Sequence, residues 1–317
     1  MSAKAYALFD AHCDTISALA EAETGTLLEN RLQIDLTRAG RYRRYAQCFA
    51  LWAAPEDMDR QGGGTVFQAL LDRFLLELDR CRDRIVFCRT REDYRSAGEA
   101  GKMAAFLSVE GADLLDCDLA SLARAHELGV RLINLTWNRA NVLCGAHADQ
   151  PERGLSEQGR AWVRAMLERK MLPDVSHLSE PGFWDVAALC EAQMSPFVAS
   201  HSNARAICSH SRNLTDDQFR ALIRCGGVAG LNLYTLFTGG AGLDTALDHV
   251  LHFLALGGGK HVCLGCDLDG CDSLPAPIRG VEDLYLIGDG LRRRGVGEET
   301  IQDLFYNNLE RVILCSM

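Results

Sequence analysis

A chain of 317 residues, 48% hydrophobic and 24% charged, is long enough to bury one large core. Its formal net charge of -10, with only two short basic runs, Arg41–Arg44 and Arg292–Arg294, excludes non-specific nucleic-acid binding, which needs clustered Lys and Arg. Those two runs read as solvated faces. Thirteen cysteines, an odd number, contain a single C-x-x-C pair, Cys263 and Cys266, and no second pair to complete a metal ribbon. Thiols in that number are easier to keep reduced than to pair, which favours the cytoplasm. The first residues hold no apolar leader, and no stretch reaches the roughly 18 apolar residues of a membrane span.

Eight short apolar runs follow one another along the chain. They are Ala5–Ala11, Ala46–Ala53, Ala104–Val109, Val130–Thr136, Leu172–Ser176, Pro196–Ser200, Gly227–Leu233 and Val262–Cys266. Near-continuous hydrophobicity is what strands buried on both faces require. Stretches of helical periodicity, such as Gly64–Asp83 and Gly159–Lys170, lie between them. Eight strand–helix repeats without a linker predict a single (β/α)8 TIM barrel over residues 1–317. The polar loop Asn138–Pro151 is a candidate active-site loop.

The ends of the runs carry the chemistry. The first ends in His12-Cys13-Asp14, where i and i+2 on a strand face the same way. The third ends at Glu110, the fifth at His177, the sixth at His201, and the eighth at Asp267 and Asp269. A barrel gathers all these ends at its C-terminal rim. One histidine at a strand end is ordinarily a hydrogen-bonded structural residue, and His-x-Asp alone occurs by chance. Five ligand-type residues in the order of a barrel rim are a different matter. Three imidazoles and two carboxylates suit zinc or a similar divalent ion. Five ligands exceed the needs of one catalytic zinc and suit two ions bridged by Glu110, about 3.5–4 Å apart, with a bridging hydroxide as nucleophile. Asp267 is then free to carry a proton, and Asp269, before Gly270, to order the loop. His126, His249, His252 and His261 read as structural or surface residues. His147, in the polar loop, stays open. Cys13 and Cys266 read as small core fillers.

The stretches DAHCDT, SVEGAD, LTWNRAN, GLSEQGRAWVRAMLERKMLPDVSHLSE, SHSNARAICSHSRNLTDDQFRALI, GGVAGLNLY and LGCDLDG span positions 10 to 270. In them the sequence resembles the renal (membrane) dipeptidase family of the amidohydrolase superfamily. The resemblance implies a zinc-dependent dipeptidase with two Zn2+ per chain, acting on small dipeptides, and it is compatible with a homodimer. By motif, His12 and Asp14 look like ligands of one zinc, Glu110 like the bridging carboxylate, and His177 and His201 like ligands of the second. Arg212 looks like the partner of the substrate's C-terminal carboxylate, a role that suits the guanidinium fork. Asp267 looks like the acid/base that also meets the substrate amine. One position departs from the family. Many members carry a His after Leu-Thr, where it helps polarise the scissile carbonyl, and here Trp137 stands in that substrate-binding position. His147, Asn138 or the metals alone are the candidates to replace the lost donor. A related amidohydrolase acting on another small amide, a lactone or a β-lactam is the alternative within enzymes. A metal-binding barrel without turnover is the alternative outside them, and the retained Asp267 argues against it.

Overall fold

The computed structural model describes residues 2–22 and 25–317. Each expected apolar run contributes a strand, with β2 shifted two residues earlier, β4 one residue longer at each end and the others shortened: β1 Ala7–Asp10, β2 Arg44–Leu51, β4 Met103–Glu110, β5 Val130–Asn134, β6 Leu172–Asp174, β7 Val198–Ala199, β8 Val228–Leu231 and β9 Val262–Leu264. All pair in parallel, and β1 meets both β2 and β9, so the eight strands close into a barrel. A ninth strand, β3 Ile85–Phe87, was not expected. It pairs only with the first residues of β4, Met103 to Ala105, outside the closed ring. Three residues are too few to show periodicity. The helices Gly63–Arg80 and Glu157–Glu168 stand where helical spacing was read, the second opened by a Ser156 side chain that accepts from the Gly159 N–H.

Alternation along the strands divides the core in two. Leu8, Leu107 and Val109 pack outward in the layer shared with the helices. Phe9, Phe106, Leu132, Leu172, Val198 and Val228 pack inward, joined by Tyr306, Leu309 and Ile313 of the C-terminal segment. That segment seals the end of the barrel where the strands begin. Higher up, the same inward register delivers buried polar residues instead: Asn134, Asp174, Ser176, Ser200 and Asn232. One end of the barrel is thus a hydrophobic plug and the other a polar cup.

Arg41, Arg43 and Arg293 of the basic runs are exposed, as expected, while Arg44, Arg292 and Arg294 are partly buried. Arg44 lies over the rings of Tyr94 and Tyr306, at 4.8 and 4.9 Å. Arg292 donates to Tyr6 Oη and Asp289, and Arg294 pairs with Asp244 and Asp248. The heads of the last two find carboxylates nearby in sequence, Asp289 for Arg292, or brought from another helix, Asp244 and Asp248 for Arg294.

Two glycines set how closely the last strands approach. A Cβ added at Gly265 would lie 1.7 Å from the Ser200 carbonyl oxygen, and one at Gly230 would lie 1.9 Å from the same atom. Since that neighbour is backbone, a side chain here must push β7 and β9 apart directly below the site. Gly265→Ala is expected to lower stability by about 1–3 kcal/mol or more, read as the urea unfolding midpoint; an unchanged midpoint would show that the barrel relaxes freely at this layer.

Candidate metal centre

The rim is built by turns that leave the strand ladders just before the functional residues. The β1 ladder ends at Asp10, two residues before His12. The buried Asp10 carboxylate accepts the His12 N–H at 3.0 Å and the Cys266 N–H at 3.1 Å, tying the ends of β1 and β9 together. Asp174 repeats the device between β6 and β7, accepting from Ser176 N and Ser200 N, both at 3.0 Å. His177, Asp267 and Asp269 then adopt φ values of 72°, 59° and 67°, a left-handed region that non-glycine residues seldom occupy and that clusters at functional sites. Neighbours hold these turns in place. His147 N donates to the His177 carbonyl at 2.8 Å, the Asp269 carboxylate accepts from Thr15 Oγ1 at 2.6 Å and from the Gln33 backbone N–H, and the Asp269 N–H donates to Gln33 Oε1.

The five expected ligands converge. Glu110 is 4% exposed, and its two oxygens face different partners. Oε2 lies 3.5 Å from His12 Nε2, while Oε1 lies 2.8 Å from His177 Nε2 and 3.5 Å from His201 Nε2. His12 Nε2 is also 3.7 Å from Asp14 Oδ2 and 3.9 Å from Asp267 Oδ1. The far nitrogens of two imidazoles are occupied: His177 Nδ1 meets Asn138 Oδ1 at 2.8 Å, and His201 Nδ1 meets Ser200 Oγ at 2.7 Å. Such second contacts orient an imidazole and leave its Nε2 for an ion.

This donor set fits a divalent metal. Ligand atoms of His12, Glu110 and His201 lie within 4.8 Å of one another, as do those of His12, Asp14 and Asp267. His12 Nε2 and Asp14 Oδ1 are buried without a hydrogen-bond partner, which is costly unless something in the cluster satisfies them. Burial, and then the positive charge of Arg212, holds the His177 imidazole well below its ordinary pKa, and burial does the same for His201. Both are therefore neutral, the form a metal needs. Burial first, then the Asp14 and Glu110 carboxylates, push Asp267 up to about 7 against the pull of His12 and Arg212.

A cavity of about 470 Å³ opens onto the cluster. Glu110, His177 and Asp267 form part of its wall, and Trp137 and Asn138 stand beside them. Trp137 packs against Trp52, with ring centroids 5.1 Å apart, so an indole surface occupies the position of the expected imidazole. Tyr234, Leu236 and Phe237 supply a second apolar surface. Arg212 is 4% exposed and stands behind His177. Its Nη2 donates to His177 Nε2 at 2.9 Å, its guanidinium lies 5.4 Å from the Phe237 ring, and its Nε has no partner. Burial lowers the Arg212 pKa to about 10, so it stays charged.

The membrane dipeptidase model, peptidase family M19, matches residues 3–315. The chain belongs to the membrane dipeptidase family. It is a metal-dependent dipeptidase, a hydrolase. A metallo peptidase from Rhodobacter sphaeroides, solved with a phosphinate mimic of the dipeptide L-Ala-D-Ala, is 28% identical with a TM-score of 0.88, over 98% of this chain and 99% of that one. The dipeptidase AC, a metallo peptidase of the same family, is 29% identical with a TM-score of 0.86, over 98% of both chains. An uncharacterized dipeptidase of Schizosaccharomyces pombe is 36% identical over 225 residues, 67% of this chain, and the match spans about half, 53%, of the fungal protein. Among the described residues of this chain no helix is long and apolar enough to cross a membrane.

Some residues of this dipeptidase's site had not been singled out. Asp10 and Asp174 hold backbone amides of neighbouring strand ends and touch no ligand atom. His210 lines the cavity, tilted against Phe237 with ring centroids 4.7 Å apart, yet follows no apolar run. The C-x-x-C pair is packing, as expected: Cys263 and Cys266 are buried and lie outside both ligand clusters.

Proposed function

We propose that this chain is a zinc-dependent dipeptidase that holds two zinc ions and cleaves dipeptides bearing a free C-terminal carboxylate. The observation that carries the reading is the buried Glu110, whose oxygens face His12 on one side and the His177–His201 pair on the other. Glu110 would bridge the ions, with His12 and Asp14 on the first and His177 and His201 on the second. When bound, the ions would supply Lewis acidity toward the scissile carbonyl and the lowered water pKa that amide hydrolysis needs.

The remaining steps belong to the chain. Asp267 Oδ2 is held by Asn232 Nδ2 at 3.0 Å, which aims Oδ1 at the cluster. From there it can take a proton and return it to the leaving amine. Arg212 now donates to His177 Nε2, the atom an ion would claim. Once that contact is given up, Nη2 keeps a weak donation to the His201 carbonyl at 3.4 Å and has its other proton available beside the unpaired Nε, the fork that suits a carboxylate. Trp137 and Trp52 form an apolar wall for a substrate side chain and keep water from the bond under attack. The phosphinate in the Rhodobacter sphaeroides structure mimics a dipeptide with a D-residue in second place. We extend that substrate class, dipeptides tolerant of a C-terminal D-residue, to this chain. Thirteen unpaired cysteines, most of them buried, support a reducing compartment, the cytoplasm.

Arg212 fixes the distance from carboxylate to scissile bond, so dipeptides are expected to be cleaved while C-terminally amidated dipeptides and tripeptides are not. Arg212→Ala should raise the barrier in kcat/KM by about 1.5–3 kcal/mol, the worth of a charge-assisted contact. Equal rates on free and amidated substrates would refute the anchoring. The two rim aspartates should separate cleanly. Asp267→Asn is expected to keep its metals and lose roughly 10²–10⁴-fold in kcat. Asp269→Asn, whose carboxylate ties Thr15 to Gln33, should lower the thermal midpoint or metal retention more than kcat. The reverse pattern would assign the proton carrier to Asp269.

A further inference from the structure

Trp137 leaves the site without the imidazole that family resemblance leads one to expect beside the scissile carbonyl, and hydrogen-bond accounting identifies its replacement. His147 cannot serve. Its Nε2 is engaged by Asn138 Oδ1 and its Nδ1 by Ser211 Oγ, each at 2.8 Å. His210 stands one ring further out, 6.1 Å from His147, as His147 is from His177. Asn138, on the cavity wall, has a side chain that bonds directly to the ring of His177 in the metal cluster.

The orientation of its amide follows from the metal-binding role proposed for His177. Its Nε2 lies 2.9 Å from Arg212 Nη2, which only donates, and 2.8 Å from Glu110 Oε1, which only accepts, so an ion, which would take the Nε2 lone pair, sets the tautomer. The proton of the ligating His177 is then on Nδ1, and the atom of Asn138 facing it at 2.8 Å is the carbonyl oxygen. One amide oxygen, with two lone pairs, accepts from both His177 Nδ1 and His147 Nε2. The amide NH2 is then turned away from both rings and meets no hydrogen-bond acceptor among the described residues, on a side chain that lines the cavity.

Resting on the dipeptidase reading above, we infer that Asn138 is the substrate-facing donor of this enzyme: its Oδ1 holds His177 in the metal-binding tautomer, and its Nδ2 donates to the carbonyl oxygen of the scissile peptide. The two halves of one amide thus serve the metal and the substrate together. A donor aimed at a carbonyl that gains negative charge acts on kcat more than on KM.

Asn138→Asp separates the halves. A carboxylate still accepts from both imidazoles, so zinc affinity, measured by chelator competition on the purified protein, is expected to stay within a few fold of wild type. With no N–H left to donate, kcat on a good dipeptide should fall about 10²-fold with little change in KM. Adding Trp137→His should return at least about tenfold of that loss in the same background, by restoring a donor at the neighbouring position. Turnover of Asn138→Asp within threefold of wild type would overturn the inference. So would a fall in activity that only tracks lost zinc, or a double variant no faster than the single one. A wild-type enzyme that binds zinc but cleaves no dipeptide would instead sink the functional reading, a result distinguishable from each of these.

Discussion

A carboxylate buried to 4% exposure among three imidazoles is the constraint around which this molecule is arranged. Removing Glu110 from water is costly unless positive charge compensates it. The neutral His177 and His201 supply none, and the Arg212 guanidinium reaches only the His177 side. His12, whose pKa is raised well above its ordinary value, against burial, by Glu110 and Asp14, offsets part of the cost on the other side. Divalent cations held as proposed above would answer that deficit and would also satisfy the orphaned His12 Nε2 and Asp14 Oδ1. The rest of the rim keeps these donors in place when the ions are not bound. Asp10 and Asp174 clamp pairs of strand ends, Ser200 and Asn138 orient imidazoles, and Gly230 and Gly265 let β7, β8 and β9 approach closely enough to bring the histidines together.

Much of this was legible from residue order because a closed barrel turns distant strand ends into neighbours. Glu110, His177, His201 and Asp267 each follow an apolar run, and that placement was sufficient to group them. The pairing of His12 with Asp14 was read from strand alternation, yet the β1 ladder stops at Asp10. A turn pinned by the Asp10 carboxylate brings the two together. Alternation reached the right pair through a geometry that the chain does not use. Other features left no local signal. Asp10 and Asp174 act on amides of strands far away in sequence, so nothing nearby marks them. β3 is too short to show a period. His210 owes its place to a loop folded against Phe237, and Arg44 and Arg292 look solvated until the aromatic rings and carboxylates that receive them are brought in by the fold.

The position of Trp137 shows how a family site can change one group and keep its chemistry. An indole offers apolar surface and one N–H, with no titration, and here it packs at a tilt against Trp52 to make a wall. The polar work then shifts one residue along the chain, to Asn138, which is already committed to His177. Metal tautomer and substrate contact become linked through a single amide. That linkage limits what a substitution at this position can preserve.

The central claim is that Glu110 lies between two ions. The most direct test is anomalous diffraction at the zinc edge from crystals of the zinc-loaded enzyme. The account predicts two peaks per chain, one against each oxygen of Glu110, the first also contacting His12 and Asp14 and the second His177 and His201. A single peak in fully loaded, active enzyme, or two peaks of which either fails to contact Glu110, would contradict it.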